Sequence, residues 1–218
     1  MELLEALRTN PAVRDFTDAP VSDEEVAAIL DDARFAPSGG NRQPWRVAVV
    51  KDHALRRQLG QLCRPVWSEY VAIRTAGAMP FSAVEPAPDI GEPELVPNPL
   101  LDEIEAIPVV LVLAADLGDI AMMDKDLSRP PLTGGASVYP FAYSILLAAR
   151  DRGLGGVMTT FLARAEDAAR PLLGLPDTWA VASMLCLGHP VRRATKLSRR
   201  DVGEFTTVDR FDGPSFAP

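Results

Sequence analysis

The chain has 218 residues, 47% of them hydrophobic, enough for a sizeable core in one large domain or two small ones. Its 22 basic and 30 acidic residues give a formal charge of −8, which with a pI near 4.8 argues against nucleic acid or an anionic membrane as partner. Two cysteines without a CxxC pairing and two histidines without a partner motif point away from a disulfide framework, a metal centre or a Ser-His-Asp apparatus.

Leu3, Leu4 and Leu7 put an apolar stripe on a first helix that Asn10-Pro11 stops. The N-terminus is acidic, lacks the pattern of a signal peptide, and no apolar run approaches a membrane span, so the expectation is a cytoplasmic protein. Ser22 has the N-cap residue type, Glu25 completes a capping box, and Val26, Ile29, Leu30 and Ala33 recur at helical spacing. This second helix delivers the chain to Pro37. Trp45 to Val50 is a β-branched run suited to a strand, and Leu55, Leu59, Leu62, Val66 and Tyr70 trace a long amphipathic helix. Six prolines lie within residues 80–99 with acidic residues between them and no periodicity, an insertion after which the core pattern resumes at Ile107.

Ile107 to Ala115 is apolar on both faces and reads as a central strand covered by helices. The run from Ala136 to Arg152 has almost no polar stripe, as a buried helix would, and Pro140 implies a start near that position or a kink. Gly153 to Thr160 turns into a strand; its glycines precede that strand and do not open a helix, so no dinucleotide fingerprint is present. A short helix from Ala165 to Leu173, a buried strand from Trp179 to Leu187 and the cluster Arg192, Arg193, Lys196, Arg199 and Arg200 follow. Such a cluster is ordinarily a solvated face.

The most informative word is Ala36-Pro-Ser-Gly-Gly-Asn-Arg-Gln-Pro-Trp45. Gly39 and Gly40 permit close approach or positive φ, while Ser38, Asn41 and Gln43 bring groups that donate and accept, a match for a planar polar heterocycle; the same composition also makes a plain turn. As a whole the word resembles the flavin-contacting loop of the nitroreductase family. Further segments resemble that family in order along the chain. Arg14 and Phe16 match its phosphate-binding segment, whereas Asn10, Pro11 and Ala12 stand where Arg, Arg and Ser are commoner. Arg14 would be the stronger FMN anchor and Asn10 the weaker, with Arg8 as a substitute. Gly155, Gly156, Thr159 and Thr160 correspond to the segment over the reactive part of the flavin ring, and Arg199 to a second phosphate anchor, with Lys196 or Arg200 as understudies. The buried helix lacks the amide residue that relatives place near Tyr143 and Ser144.

The resemblance implies one α+β domain over residues 1–218: a central mostly antiparallel sheet flanked by helices, in an intertwined homodimer with two flavin sites at its interface. Residues 78–105 would form a lid, with Met79 and Phe81 candidates for substrate contact, and a tail at about 200–218 would wrap the partner subunit. The implied activity is ping-pong transfer of electrons from NAD(P)H through FMN to a nitroaromatic, quinone or similar acceptor. Alternatives on the same fold are reductive dehalogenation, oxygen-dependent flavin fragmentation, a deazaflavin donor, or flavin binding without turnover.

Overall fold

A computed structural model describes residues 1–193 and 196–216. Its centre is a four-stranded sheet of β1 (Trp45–Val49), β2 (Val109–Asp116), β3 (Gly155–Thr159) and β4 (Trp179–Gly188), ordered β1-β2-β4-β3 with every neighbouring pair antiparallel. The helices are α1 (Leu3–Arg8), α2 (Asp23–Ala33), α3 (His53–Thr75), α4 (Pro99–Asp102), α5 (Tyr139–Asp151), α6 (Phe161–Arg164) and α7 (Glu166–Leu173).

Because side chains alternate across a strand, β2 and β4 each serve two cores. Leu111, Leu113, Leu185 and Leu187 pack beneath α2 and α5, joined by Ile29, Phe141 and Ile145. Val110, Val112, Met184 and Cys186 pack on the opposite face with Leu59 and Cys63 of α3, Leu101 of α4 and Leu162 of α6. This helix–sheet–helix sandwich explains why Ile107 to Ala115 carries no polar alternation. Trp45 at the start of β1 stacks on Phe141 of α5, ring centroids 4.6 Å apart, tying the informative word to the first core.

The expected N-cap is present: Ser22 Oγ accepts from the Glu25 amide at 3.1 Å and the Glu25 carboxylate accepts from the Ser22 amide at 3.3 Å. Pro140 lies in the first turn of α5 and starts that helix without kinking it. The Leu3–Leu4–Leu7 stripe faces outward; Leu3 and Leu4 are 66% and 62% exposed and only Ala6 of α1 is buried. A six-residue helix presents one narrow face, and Arg150 of α5 fixes its end by donating to Thr9 O and Thr9 Oγ1 at 3.1 and 3.0 Å.

The 78–105 stretch divides in two. Residues 78–98 contain no helix or strand and lie along α3, where Ser68 Oγ accepts from the Val96 amide at 2.9 Å and Trp67 Nε1 donates to Pro97 O at 3.3 Å. Beyond Pro99 the chain belongs to the second core, with Leu100, Leu101 and Ile104 buried. In the tail, Phe205, Phe211 and Phe216 are exposed on the single chain.

Candidate functional site

Each suggested site residue takes its place from the sheet. The segment after α1 runs beside the free edge of β3: Ala12 bridges Gly156 in parallel sense, Val13 N donates to Gly156 O at 2.9 Å, and Phe16 bridges Pro190. Val13 is buried by this passage while Arg14 points out. Gly155 and Gly156 are themselves buried. A Cβ on Gly155 would lie 2.7 Å from Val13 Cγ2, and one on Gly156 2.4 Å from Leu187 Cδ2 and 2.9 Å from Cys186 O. The glycines therefore answer first to the close packing of the N-terminal segment on the strand.

Arg14 lines a hollow of about 490 Å³ with Asp15, Phe16, Asn98, Glu103 and Ile107. A second hollow, about 740 Å³, gathers Arg8, Lys196 and Arg199 around Leu4, Leu7 and Thr9. Asn10 lies next to it, sharing a small crevice with Thr9, Arg150 and Gly155. Among the described residues Arg8, Arg14 and Lys196 make no ion pair and no side-chain hydrogen bond, and Arg199 donates only to the adjoining Ser198 O at 2.7 Å. Among the described residues these four cations are thus uncommitted donors, divided between two hollows that share no lining residue.

The Ser38–Gln43 loop occupies the diagonal corner. Trp45 pairs with Ala115 and through it Ala180, the opposite end of β4 from Gly188, which pairs with Gly155. With strands about 4.8 Å apart and a rise of about 3.3 Å per residue, Trp45 and Gly155 are separated by roughly 30 Å. One chain thus keeps Asn41 and Arg14 apart. The loop is a tight construction: Gly40, Asn41 and Gln43 have φ of 62°, 54° and 50°, Ser38 Oγ accepts from the Gln43 amide at 2.9 Å, and Gln43 Nε2 donates to Asn41 Oδ1 at 3.3 Å. Positive φ at Gly40 was legible in the sequence, but its use by Asn41 and Gln43 was not, since only Asn tolerates it readily.

Thr159 and Thr160 end β3 on the loop's side of the sheet. Thr160 is exposed; Thr159 is buried, and its Oγ1 has no hydrogen-bond partner among the described residues. Phe161, following at once, meets Trp67 and Tyr70 edge to face. Phe81 joins this group by lying under Arg164, 4.5 Å from guanidinium carbon to ring centre, while Arg164 is held by Glu69 through two hydrogen bonds of 3.1 and 2.7 Å. Phe81 packs on this group and is still 38% exposed, while Met79 is 69% exposed.

A model of the nitroreductase family matches residues 8–189. The chain belongs to the nitroreductase family. It is 29% identical over 234 residues to the nitrobenzene nitroreductase of Ectopseudomonas oleovorans, covering 92% of this chain and 94% of that one. It is also 29% identical over 179 residues to the 5,6-dimethylbenzimidazole synthase of Rhodospirillum rubrum, covering 82% and 77%. Among solved structures, the NADPH:FMN oxidoreductase of Vibrio harveyi complexed with NAD⁺ superposes with a TM-score of 0.63 at 24% identity over 90% of this chain and 72% of that one, a likeness of fold. The nitroreductase-type α+β fold expected from the sequence is therefore present, and family membership makes the chain an oxidoreductase of that broad class. Among the described residues no helix is long and apolar enough to cross a membrane, and no group of three or more His, Cys, Asp and Glu is placed to hold a metal.

Several side chains of this nitroreductase-family protein escaped the sequence reading. Arg56 is buried and donates to Val50 O at 2.7 Å and Ile107 O at 2.6 Å, joining the end of β1 to the approach to β2; burial lowers its pKa. An arginine on an otherwise amphipathic helix gives no sign of facing inward. The stretch 117–133 carries no periodicity that marks a core element, yet it holds the buried Asp124, and Ser137 at the head of the expected buried helix instead turns its hydroxyl to accept from the Gly39 amide at 3.0 Å.

Proposed function

We propose that this protein is an FMN-dependent oxidoreductase that takes electrons from NAD(P)H and works as a homodimer. The observation that carries the proposal is that cations uncommitted among the described residues, Arg14 in one hollow and Arg8, Lys196 and Arg199 in a second, lie along the segment 8–14 that runs beside β3. Charged donors of this kind hold a phosphate ester through charge-assisted hydrogen bonds. The donor set fits FMN: guanidinium groups for its phosphate, with the amides of Asn41 and Gln43 and the hydroxyls of Ser38 and Thr160 for the polar edge of a heterocycle. Thr159 Oγ1, buried without a partner among the described residues, is a further group whose hydrogen-bonding capacity is unspent there.

When bound, FMN would supply hydride chemistry between NAD(P)H and a nitroaromatic, quinone or similar small acceptor in two alternating half-reactions. The chain's own residues bind and orient. Arg14 and Arg199 neutralise the phosphate, with Asn10 beside them. The backbone at Gly155 and Gly156 forms the floor beneath the N-terminal segment. Met79 and the residues 78–98 that follow it border the space an acceptor would enter. Because Trp45, at the end of this loop, stands roughly 30 Å from Gly155 across the sheet of one chain, a second subunit is the proposed source of the Ser38–Gln43 loop that completes each site. The outward-facing Leu3, Leu4 and Leu7 and the exposed Phe205, Phe211 and Phe216 support an interface of that kind.

Purified protein should be yellow, or take up FMN with quenching of flavin fluorescence. NADH or NADPH should bleach the visible bands, and a nitroaromatic or quinone should restore them. A colourless protein that FMN neither stabilises nor is quenched by would overturn the reading. A second reading rests on the similarity to the 5,6-dimethylbenzimidazole synthase: consumption of FMN with oxygen uptake, in place of restored bands, would favour it.

A further inference from the structure

The Ser38–Gln43 loop carries three residues at positive φ, two of them not glycine. Such backbone persists only where its surroundings over-determine it. Among the described residues, the one hydrogen bond that reaches this loop from elsewhere in the chain is the Gly39 amide donating to Ser137 Oγ at 3.0 Å, across 98 positions of sequence. The approach is close enough that a Cβ on Gly39 would lie 3.3 Å from that oxygen. Added to the loop's own hydrogen bonds, Ser137 is therefore the point at which another part of the chain holds its shape.

Ser137 ends a 3₁₀ turn, Thr133–Ser137, and the first residue of that turn is held by Asp124. The Asp124 carboxylate is 4% exposed. Oδ1 accepts from Thr133 Oγ1 at 2.6 Å and the Thr133 amide at 3.2 Å; Oδ2 accepts from the Leu132 amide at 2.8 Å and Arg129 Nη1 at 2.6 Å. The next residue of the turn, Gly134, is wedged against the preceding loop, where a Cβ would lie 2.8 Å from Met122 Cε and 3.3 Å from Ile120 Cγ2. One buried carboxylate thus fixes the start of a short turn, packing fixes its middle, and its end supports the strained loop.

We propose that Asp124 is a positioning residue for the Ser38–Gln43 loop, acting through Thr133 and Ser137 without touching cofactor or substrate. The cofactor part of this role rests on the proposed FMN function; the mechanical coupling does not. A buried charge closed by four hydrogen bonds is more than a surface turn requires, and the coupling explains why it is spent on the residue that begins the turn ending at Ser137.

Amide hydrogen exchange on the full apoprotein tests the coupling. Asp124→Asn and Ser137→Ala should each speed exchange at the Gly39 amide about fivefold to tenfold, leaving the amides of β2 at wild-type rates, while Ser137→Thr restores protection. In protein that takes up FMN, both single variants should weaken FMN affinity to a similar extent and shift its visible spectrum. The double variant should be no worse than the weaker single. Thr133→Val serves in place of Asp124→Asn if the latter does not fold. Wild-type protection at Gly39 in Asp124→Asn, or acceleration spread evenly over β2 as well, would overturn the coupling. Loosened exchange with unchanged FMN affinity would overturn the cofactor role, whereas failure of wild-type protein to take up FMN would instead strike the flavin reading, with the exchange result still deciding the coupling.

Discussion

At the scale of single residues, the question is which charged and polar groups are already satisfied. Arg164, Arg170, Arg57 and Arg152 are engaged with carboxylates, and Arg56 is consumed by backbone carbonyls. Among the described residues Arg14 and Arg199 are not so engaged, which is why they remain the anchors to test. A hydrogen bond to a charged group contributes about 1.5–3 kcal/mol, so Arg14→Ala or Arg199→Ala should weaken FMN binding by roughly 10-fold to 100-fold, measured by fluorescence titration. Unchanged affinity in the double variant would remove both from the site. The two cysteines make the opposite case. Cys63 and Cys186 are fully buried, and burial pushes each thiol up to about 12. Both should resist a thiol reagent at pH 8 in native protein and react once it is unfolded. Because the folded state keeps these protons while the unfolded state releases them above pH 9, stability should fall as pH rises from there towards 12.

At the scale of elements, local signals and packing demands separate cleanly. The capping box of Ser22 and Glu25, the first-turn Pro140 of α5 and the left-handed Gly174 that ends α7 all act within a few residues, so their effects are readable in the sequence. Gly155 and Gly156 are different. Their resemblance to a flavin-contacting segment was legible, but the reason a side chain is excluded there involves Val13, Leu187 and Leu146, residues brought in from three other parts of the chain. Gly156→Ala should accordingly destabilise the protein by about 1–3 kcal/mol through overpacking, seen as a lowered denaturation midpoint in apoprotein before any flavin is added. A loss of FMN affinity with no loss of stability would mean that the strand yields and the ligand feels the methyl group. The Asp124–Thr133–Ser137 connection belongs to this scale as well. The residue types between 117 and 137 offer Arg129 as an ion-pair partner but do not announce that a carboxylate will be buried, because its other partners are two amides and a hydroxyl supplied by the turn's own conformation.

At the scale of the whole molecule, the sheet order puts the informative loop and the basic corner at opposite ends of a diagonal. That geometry makes a definite prediction. Sedimentation should give a mass twice the 23.5 kDa of the chain, and Leu3→Glu, placed on the exposed stripe of α1 but outside the hollow of Arg8 and Arg199, should shift the protein towards monomer and lower FMN affinity together. A monomer that binds FMN at full strength would refute the shared site.

Periodicity, caps and strand runs determined the four strands and the longer helices of this protein from the sequence by itself, because each depends on neighbours within a turn or a strand length; the short α4 and α6 left no such pattern. The ordered set of flavin-loop, phosphate-segment and β3 words likewise determined the family. Only the tertiary structure decided that the Leu3–Leu7 stripe faces outward, that residues beyond Pro99 are core, that Phe81 is held under Arg164, and that the loop at Asn41 lies far from Arg14. Those outcomes turn on which surfaces are left after the sheet has been covered on both faces, a competition among distant segments that no local pattern records.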